Sequence, residues 1–291
     1  MSCGSNGVAP NSDVTLRPED GTIQSPMRDA SRDSVTPGGA QAPLGARGGS
    51  SADGVADTTP SGKADPGPRA LPLADARGLL AALVAVALAL AAYAALAADV
   101  VEGGRLSSYD QDLAEWVAGS MPTPVEWVAR CLSWLGGWAG VTVLVVLAVV
   151  WLARRGRLAI GVLLVVVALG GQLLNSITKE GYDRPRPTAG SPVELPSSTS
   201  FPSGHAMTGI AVFGLLGLLV ARELASRRAR TAAIAVGFGL GALIGASRVV
   251  LNVHFLTDVL AGAALGLAWL SLCLLVASVV SSRRRRYAEA S

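Results

Sequence analysis

The residues best suited to chemistry lie in three short stretches. The first is Ser247-Arg-Val-Val-Leu-Asn-Val-His-Phe-Leu-Thr-Asp258, between two long apolar runs. It carries one of only two histidines in 291 residues, and a carboxylate follows four positions later. If the stretch is helical, His254 and Asp258 share a face and can touch. The carboxylate would then fix the imidazole tautomer and stabilise its cation. The plainer alternative is a polar junction paired with its neighbours. The second stretch is Phe201-Pro-Ser-Gly-His205. Pro202 and Ser203 are helix-start signals, and Gly204 lets backbone approach a ligand. A helix N-terminus attracts anions, and His205 in the first turn can reach one. The alternative is a capped helix with a solvated histidine. The third stretch is Lys179-Glu-Gly-Tyr-Asp-Arg-Pro-Arg-Pro187. It offers an ammonium and planar guanidinium forks suited to phosphate oxygens. Alone it reads equally well as a basic patch for lipid head groups. Together the stretches hold both histidines, a backing carboxylate and a ring of Lys and Arg. That set suits phosphoryl transfer through a covalent histidine intermediate.

Such residues need elements that bring them together. The chain is 51% hydrophobic and 15% charged, with a mean hydropathy of +0.45. That is too apolar for an ordinary soluble domain and predicts an all-α, multi-span membrane protein. Residues 1–70 lack Phe, Trp and Tyr and are rich in Gly, Ser, Pro, Ala and Asp, which predicts a disordered tail. This segment has no apolar core of the signal-peptide kind, and Met27 is an alternative start. Cys3, Cys131 and Cys273 have neither disulfide-framework nor metal-ligand spacing.

Six spans are expected within a domain over 75–282: Leu79–Ala98, Leu135–Leu152, Leu158–Leu174, Ala206–Ala221, Ala232–Ala246 and Val259–Val280. The third is expected to continue to Thr178 and the fifth to about Val253. A four-span reading with two buried segments fits the arginine spacing less well. Between spans one and two, short surface helices are expected around Asp110–Val117 and Val125–Leu132. Trp116, Trp127, Trp134 and Trp138 supply interfacial anchors there. Arginine clusters precede span one and follow spans two, four and six, the last in a basic tail over 283–291. The positive-inside rule then puts both termini in the cytoplasm and all three polar stretches outside. Lys179, Arg184, Arg186 and Arg248 break the rule on that outer side, as an anion site would require.

The three stretches resemble the signature motifs of the type 2 phosphatidic acid phosphatase family, membrane enzymes related to the vanadium haloperoxidases. Lys179, Arg186 and Pro187 match the first motif, Pro202 to His205 the second, and Ser247, Arg248, His254 and Asp258 the third. The resemblance covers about residues 75–282. It implies a six-transmembrane-helix bundle and hydrolysis of lipid phosphomonoesters or diphosphates without metal or cofactor. It also implies roles. His254 would attack phosphorus and form a phosphohistidine, with Asp258 orienting it. His205 would protonate the leaving oxygen and then activate water. Lys179, Arg186 and Arg248, with Ser203 and the Gly204 amide, would hold the phosphoryl oxygens. Choosing Arg186 over Arg184 rests on spacing alone. Asn252 and Leu256 stand where members often carry Gly and Pro, which puts pocket shape and substrate choice in doubt.

The expected partners are the bilayer and a membrane lipid phosphate, with no nucleic acid. Candidate substrates are polyprenyl (undecaprenyl) diphosphate, phosphatidic acid, diacylglycerol pyrophosphate and phosphatidylglycerol phosphate, with a slight lean to the first. The expected location is the plasma membrane. Competing readings are a non-catalytic lipid-phosphate binder on the same fold, a vanadate-dependent haloperoxidase and a transporter. Retention of both histidines and Asp258 weighs against the first. Six spans weigh against the second. Polar groups at one end of the spans, rather than at mid-bilayer, weigh against the third.

Overall fold

The computed structural model describes residues 76–290, and the expected tail over 1–70 lies outside them. Among the described residues every regular element is a helix. They are α1 (Ala76–Glu102), α2 (Arg105–Ser108), α3 (Asp110–Ser120), α4 (Thr123–Gly136), α5 (Trp138–Arg154), α6 (Leu158–Lys179), α7 (Gly204–Thr208), α8 (Gly214–Glu223), α9 (Arg227–Val250) and α10 (Leu256–Ala290). A π-helical turn, Gly209–Phe213, joins α7 to α8, so Gly204–Glu223 forms one span. Five helices are long and apolar enough to cross a bilayer. The pair α4–α5 makes a sixth if it counts as one span bent by 54°.

That bend corrects the second expected span. Leu135 belongs to α4, and α5 starts only at Trp138. The cause is the Gly136–Gly137 pair. Gly137 is extended (φ −74, ψ 168), and Gly136 leaves room for the Ile244 side chain of α9. Two other boundaries move outward, because a run of apolar residues marks the lipid-facing length and not the hydrogen-bonded length. α9 begins at Arg227, where the Ser226 hydroxyl caps the Ala229 amide at 3.1 Å. α10 continues through Arg283–Arg286, since arginine is a good helix former. Helices stand at both positions where surface helices are expected, as α3 and α4. Trp116, Trp127, Trp134 and Trp138 are exposed along this segment.

The core sits between α5, α6, α8 and α10, around Leu164, Val167, Ala211, Val212, Leu215 and Leu270. Trp269 of α10 donates its indole N–H to the Val167 carbonyl at 3.0 Å and so pins α10 to α6. The span Gly204–Glu223 runs unusually close to α9. A Cβ on Gly241 would lie 2.6 Å from the Gly209 carbonyl oxygen, and one on Gly217 would lie 2.8 Å from that of Ala233. Only glycine permits this approach. By contrast, α1 packs chiefly along α10, and only 11% of its apolar window is buried.

The turn from α9 to α10 carries the third motif. Its Asn252 has φ +52, a left-handed conformation suited to Gly or Asn. The departure from the expected glycine is therefore conformationally conservative. The Asn252 amide also donates to the Ala114 carbonyl at 3.2 Å and the Gly190 carbonyl at 3.3 Å. Asn252→Ala should lower stability by about 1–3 kcal/mol, from backbone strain plus lost hydrogen bonds. Thermal unfolding in detergent measures this, and a midpoint equal to wild type would refute it.

Candidate active site

All three motif stretches meet at one end of the bundle. His254 is not in a helix, as its spacing from Asp258 had suggested. It lies in the turn just before α10, and Asp258 lies in the first turn of that helix. The turn is fixed by the Val253 and His254 amides, which donate to the Arg248 carbonyl at 3.1 and 3.3 Å. Asp258 Oδ2 folds back to accept the Phe255 amide at 2.9 Å and also accepts the Ser200 hydroxyl. His254 Nδ1 sits 3.4 Å from that same oxygen and 3.4 Å from Ser200 Oγ. Its other ring nitrogen, Nε2, faces Arg186 at 3.3 Å. Burial pushes the His254 imidazole down to about 4, against the pull of Asp258. At neutral pH the ring is thus uncharged, with one nitrogen tethered and the other aimed at a guanidinium.

His205 occupies the first turn of α7, and its ring hydrogen-bonds the Ser133 carbonyl of α4. Gly137, at the α4–α5 bend, lies beside this ring: a Cβ there would stand 3.5 Å from His205 Nε2, an ordinary contact. The Ser203 amide donates to the Asp258 carbonyl at 3.0 Å, which ties the second motif to the third. Phe201 anchors the same loop between Tyr93, Tyr182 and Ala261. Gly204 faces Asn175, where a Cβ would stand 2.8 Å from its amide nitrogen.

The cations divide into two kinds. Lys179 donates to the Thr199 carbonyl at 2.5 Å. Arg186 is held by the carbonyls of Pro196, Ser198 and Val253 at 2.7–3.1 Å. Arg248 is 7% exposed and bonds the Ser133 hydroxyl, while its Nε has no hydrogen-bond partner. Among the described residues none of these three forms an ion pair. Buried guanidinium without a carboxylate is costly and is stabilised by an anion. The fully buried Ser203 hydroxyl also lacks a partner. Arg184 is different. It pairs with Asp258 Oδ1 at 2.5 Å and with Asp110 Oδ2 at 2.8 Å. The two arginines of Arg184-Pro-Arg-Pro187 therefore face opposite sides of the His254–Asp258 pair, and only Arg186 reaches the histidine. Ser247, though in the third motif, bonds the Ile244 carbonyl of its own helix at 2.6 Å.

Sequence reasoning missed Ser133, Ser200, Thr257, Asp110 and Asn175 at this end of the molecule. Ser200 lies directly before Phe201 and was within reach of a wider motif window. The others have no local signal. Among the described residues no cluster of three or more His, Cys, Asp or Glu could hold a metal. A cavity of about 610 Å³ opens beside the site, lined by the 183–199 connection including Arg184 and Arg186.

Comparison with known proteins matches residues 159–281 to the PAP2 superfamily. Phosphatidylglycerophosphatase B of Bacillus subtilis (strain 168) is 39% identical over 109 residues, 37% of this chain. The match spans about half of that relative, 53% of its length. A solved structure, described as the first transmembrane PAP2 type phosphatidylglycerolphosphate phosphatase from Bacillus subtilis, superposes with a TM-score of 0.57. It is 27% identical, and the likeness covers 66% of this chain and 93% of that one.

Proposed function

We propose that this chain, whose residues 159–281 match the PAP2 superfamily, is an integral membrane lipid phosphatase of that superfamily working through a phosphohistidine. The observation that carries this reading is the pairing pattern of the cations. Among the described residues Lys179, Arg186 and Arg248 have no carboxylate partner, and Arg186 faces His254 Nε2 at 3.3 Å. An entering phosphate supplies the missing charge. Lys179, Arg186, Arg248, the Ser203 hydroxyl and the Gly204 amide hold its oxygens.

The reaction has two steps. His254 Nε2 attacks phosphorus, an N–P bond forms and the P–O bond to the lipid breaks. His205 gives its proton to the departing oxygen. Asp258 and Ser200 hold the Nδ1 side and stabilise the positive charge that develops on the ring. Water then attacks phosphorus, His205 takes its proton, and the N–P bond breaks to release phosphate and free His254. The substrate's negative charge is what favours a protonated His205 in this cationic site. By the positive-inside pattern the site is extracytoplasmic and both termini are cytoplasmic.

The substrate assigned here is phosphatidylglycerol phosphate, the lipid named for both Bacillus proteins. A panel of phosphatidylglycerol phosphate, phosphatidic acid and polyprenyl diphosphate in identical micelles tests it. With EDTA present throughout, kcat/KM should be highest on phosphatidylglycerol phosphate. Preference for polyprenyl diphosphate would overturn the assignment, and loss of activity on chelation would overturn the all-protein charge stabilisation.

A further inference from the structure

One cation at the site is already paired with carboxylates, unlike the other three. Arg184 lies in the connection after α6, and its guanidinium joins two buried carboxylates. One N–H donates to Asp258 Oδ1 at 2.5 Å and to the Thr257 hydroxyl at 2.7 Å. The other terminal nitrogen donates to Asp110 Oδ2 at 2.8 Å. Asp110 is 4% exposed and opens α3, 74 residues away in sequence. Its second oxygen accepts the Thr257 amide at 3.2 Å, and the Thr257 hydroxyl also donates to Asp110. The Arg184 guanidinium stacks over Phe255 with 4.5 Å to the ring centroid. Every polar edge of this arginine that faces the site is therefore committed to Asp110, Thr257 and Asp258.

This geometry has a consequence for Asp258. Its two oxygens have separate duties. Oδ1 is held by Arg184, which leaves Oδ2 for Ser200, the Phe255 amide and the Nδ1 side of His254. A carboxylate with only one side anchored can rotate about its terminal torsion, which is broad and roughly two-fold. Clamping Oδ1 removes that freedom. Asp110 in turn stops Arg184 from swinging into the phosphate cradle, where the other three cations lie. We infer that Asp110 and Arg184 are positioning residues, which act through Asp258 to hold His254 in one tautomer and one orientation. The inference rests on the phosphatase reading above for its kinetic consequence but not for its structural one. It makes α3, a helix on the membrane surface, part of the catalytic apparatus.

The test uses Asp110→Asn and Arg184→Gln, with Arg184→Lys as the conservative variant. Two readouts are needed. The first is kinetic. A misplacement of about 1 Å can cost about 100-fold in rate. In Asp110→Asn and Arg184→Gln, kcat should fall by about 10- to 100-fold, while KM and the inhibition constant for orthovanadate stay within about two-fold of wild type. Arg184→Lys should recover part of the loss. The double variant should be no slower than the worse single one, because the pair acts as a unit. A rise in KM and weaker vanadate binding at unchanged kcat would make Arg184 a phosphate ligand and overturn the inference. So would unchanged kcat. The second readout is the 15N spectrum of the imidazole rings in micelles, which the two-histidine composition makes simple to assign. The His254 resonances should shift in both variants, and those of His205 should not. Unmoved His254 signals in folded variants overturn the inference, whether or not the wild type releases lipid phosphate. An inactive wild type with shifted His254 signals would instead overturn the phosphatase reading and leave the positioning role supported. If Arg184→Gln does not fold, Asp110→Asn, which keeps the side-chain shape, carries both readouts.

Discussion

Replacing His254 with alanine should reduce phosphate release by about 10⁴-fold or more, as expected when a covalent nucleophile is lost. No neighbour can take its place. Asp258 is fully buried and committed to Arg184, Ser200 and the Phe255 amide. Lys179 and Arg186 are held by carbonyl oxygens, and His205 lies against α4. The fold should survive, because the His254 backbone bond to Arg248 is independent of the side chain. Phosphate release by purified protein in detergent micelles, with thermal unfolding as the control for folding, measures this. Turnover within ten-fold of wild type in a folded variant would refute His254 as the nucleophile.

The second large effect concerns His205 and depends on the substrate. His205→Asn removes the acid of the first step and the base of the second. With a lipid phosphate, whose leaving alkoxide needs a proton, the rate should fall by about 10²- to 10⁴-fold. With an activated aryl phosphate the leaving group needs no proton, so the first step should proceed. Hydrolysis of the N–P bond should then stall, and radiolabelled phosphate should remain on the protein. The label should be acid-labile and absent from a variant that also carries His254→Ala. Normal turnover of the lipid substrate, or no retained label from the aryl phosphate, would refute this division of labour.

Both predictions start from residues that the sequence brings close in the chain. Pro202–His205 and Arg248–Asp258 are compact because one turn of backbone positions most of each motif. Even so, the His254–Asp258 contact has a different origin from the one its spacing implied. A four-residue interval suits two helical side chains. It also suits a residue just ahead of a helix and an acid in the first turn that caps it, and the Phe255 amide selects the second arrangement. Asn252 was legible as a departure from glycine but not as a left-handed residue, since the conformation appears only with the backbone. Ser133 and Asp110 could not be read at all. Each reaches the site from the connection between α1 and α5, 115 residues from Arg248 in one case and 74 from Arg184 in the other. No periodicity encodes a contact at that range. The Gly136–Gly137 break was visible as a dipeptide, but its use, to bend α4 against α5 and seat Ile244 of α9 at Gly136, depends on packing.

The peripheral seating of α1 bears on how the chain can change over time. Only 11% of its apolar window is buried by protein, and in a bilayer the rest would meet lipid. Lipid tails demand little beyond greasiness, so leucine, alanine and valine can replace one another there at small cost. The part of the chain from α6 to α10 is bound instead by glycine contacts, capped turns and the charged cluster, where few exchanges are neutral. Drift should therefore erase kinship first along α1 and last around the two histidines. The family match begins only at residue 159, beyond α1. A helix that answers mainly to the bilayer is the part of the chain whose letters are freest to change.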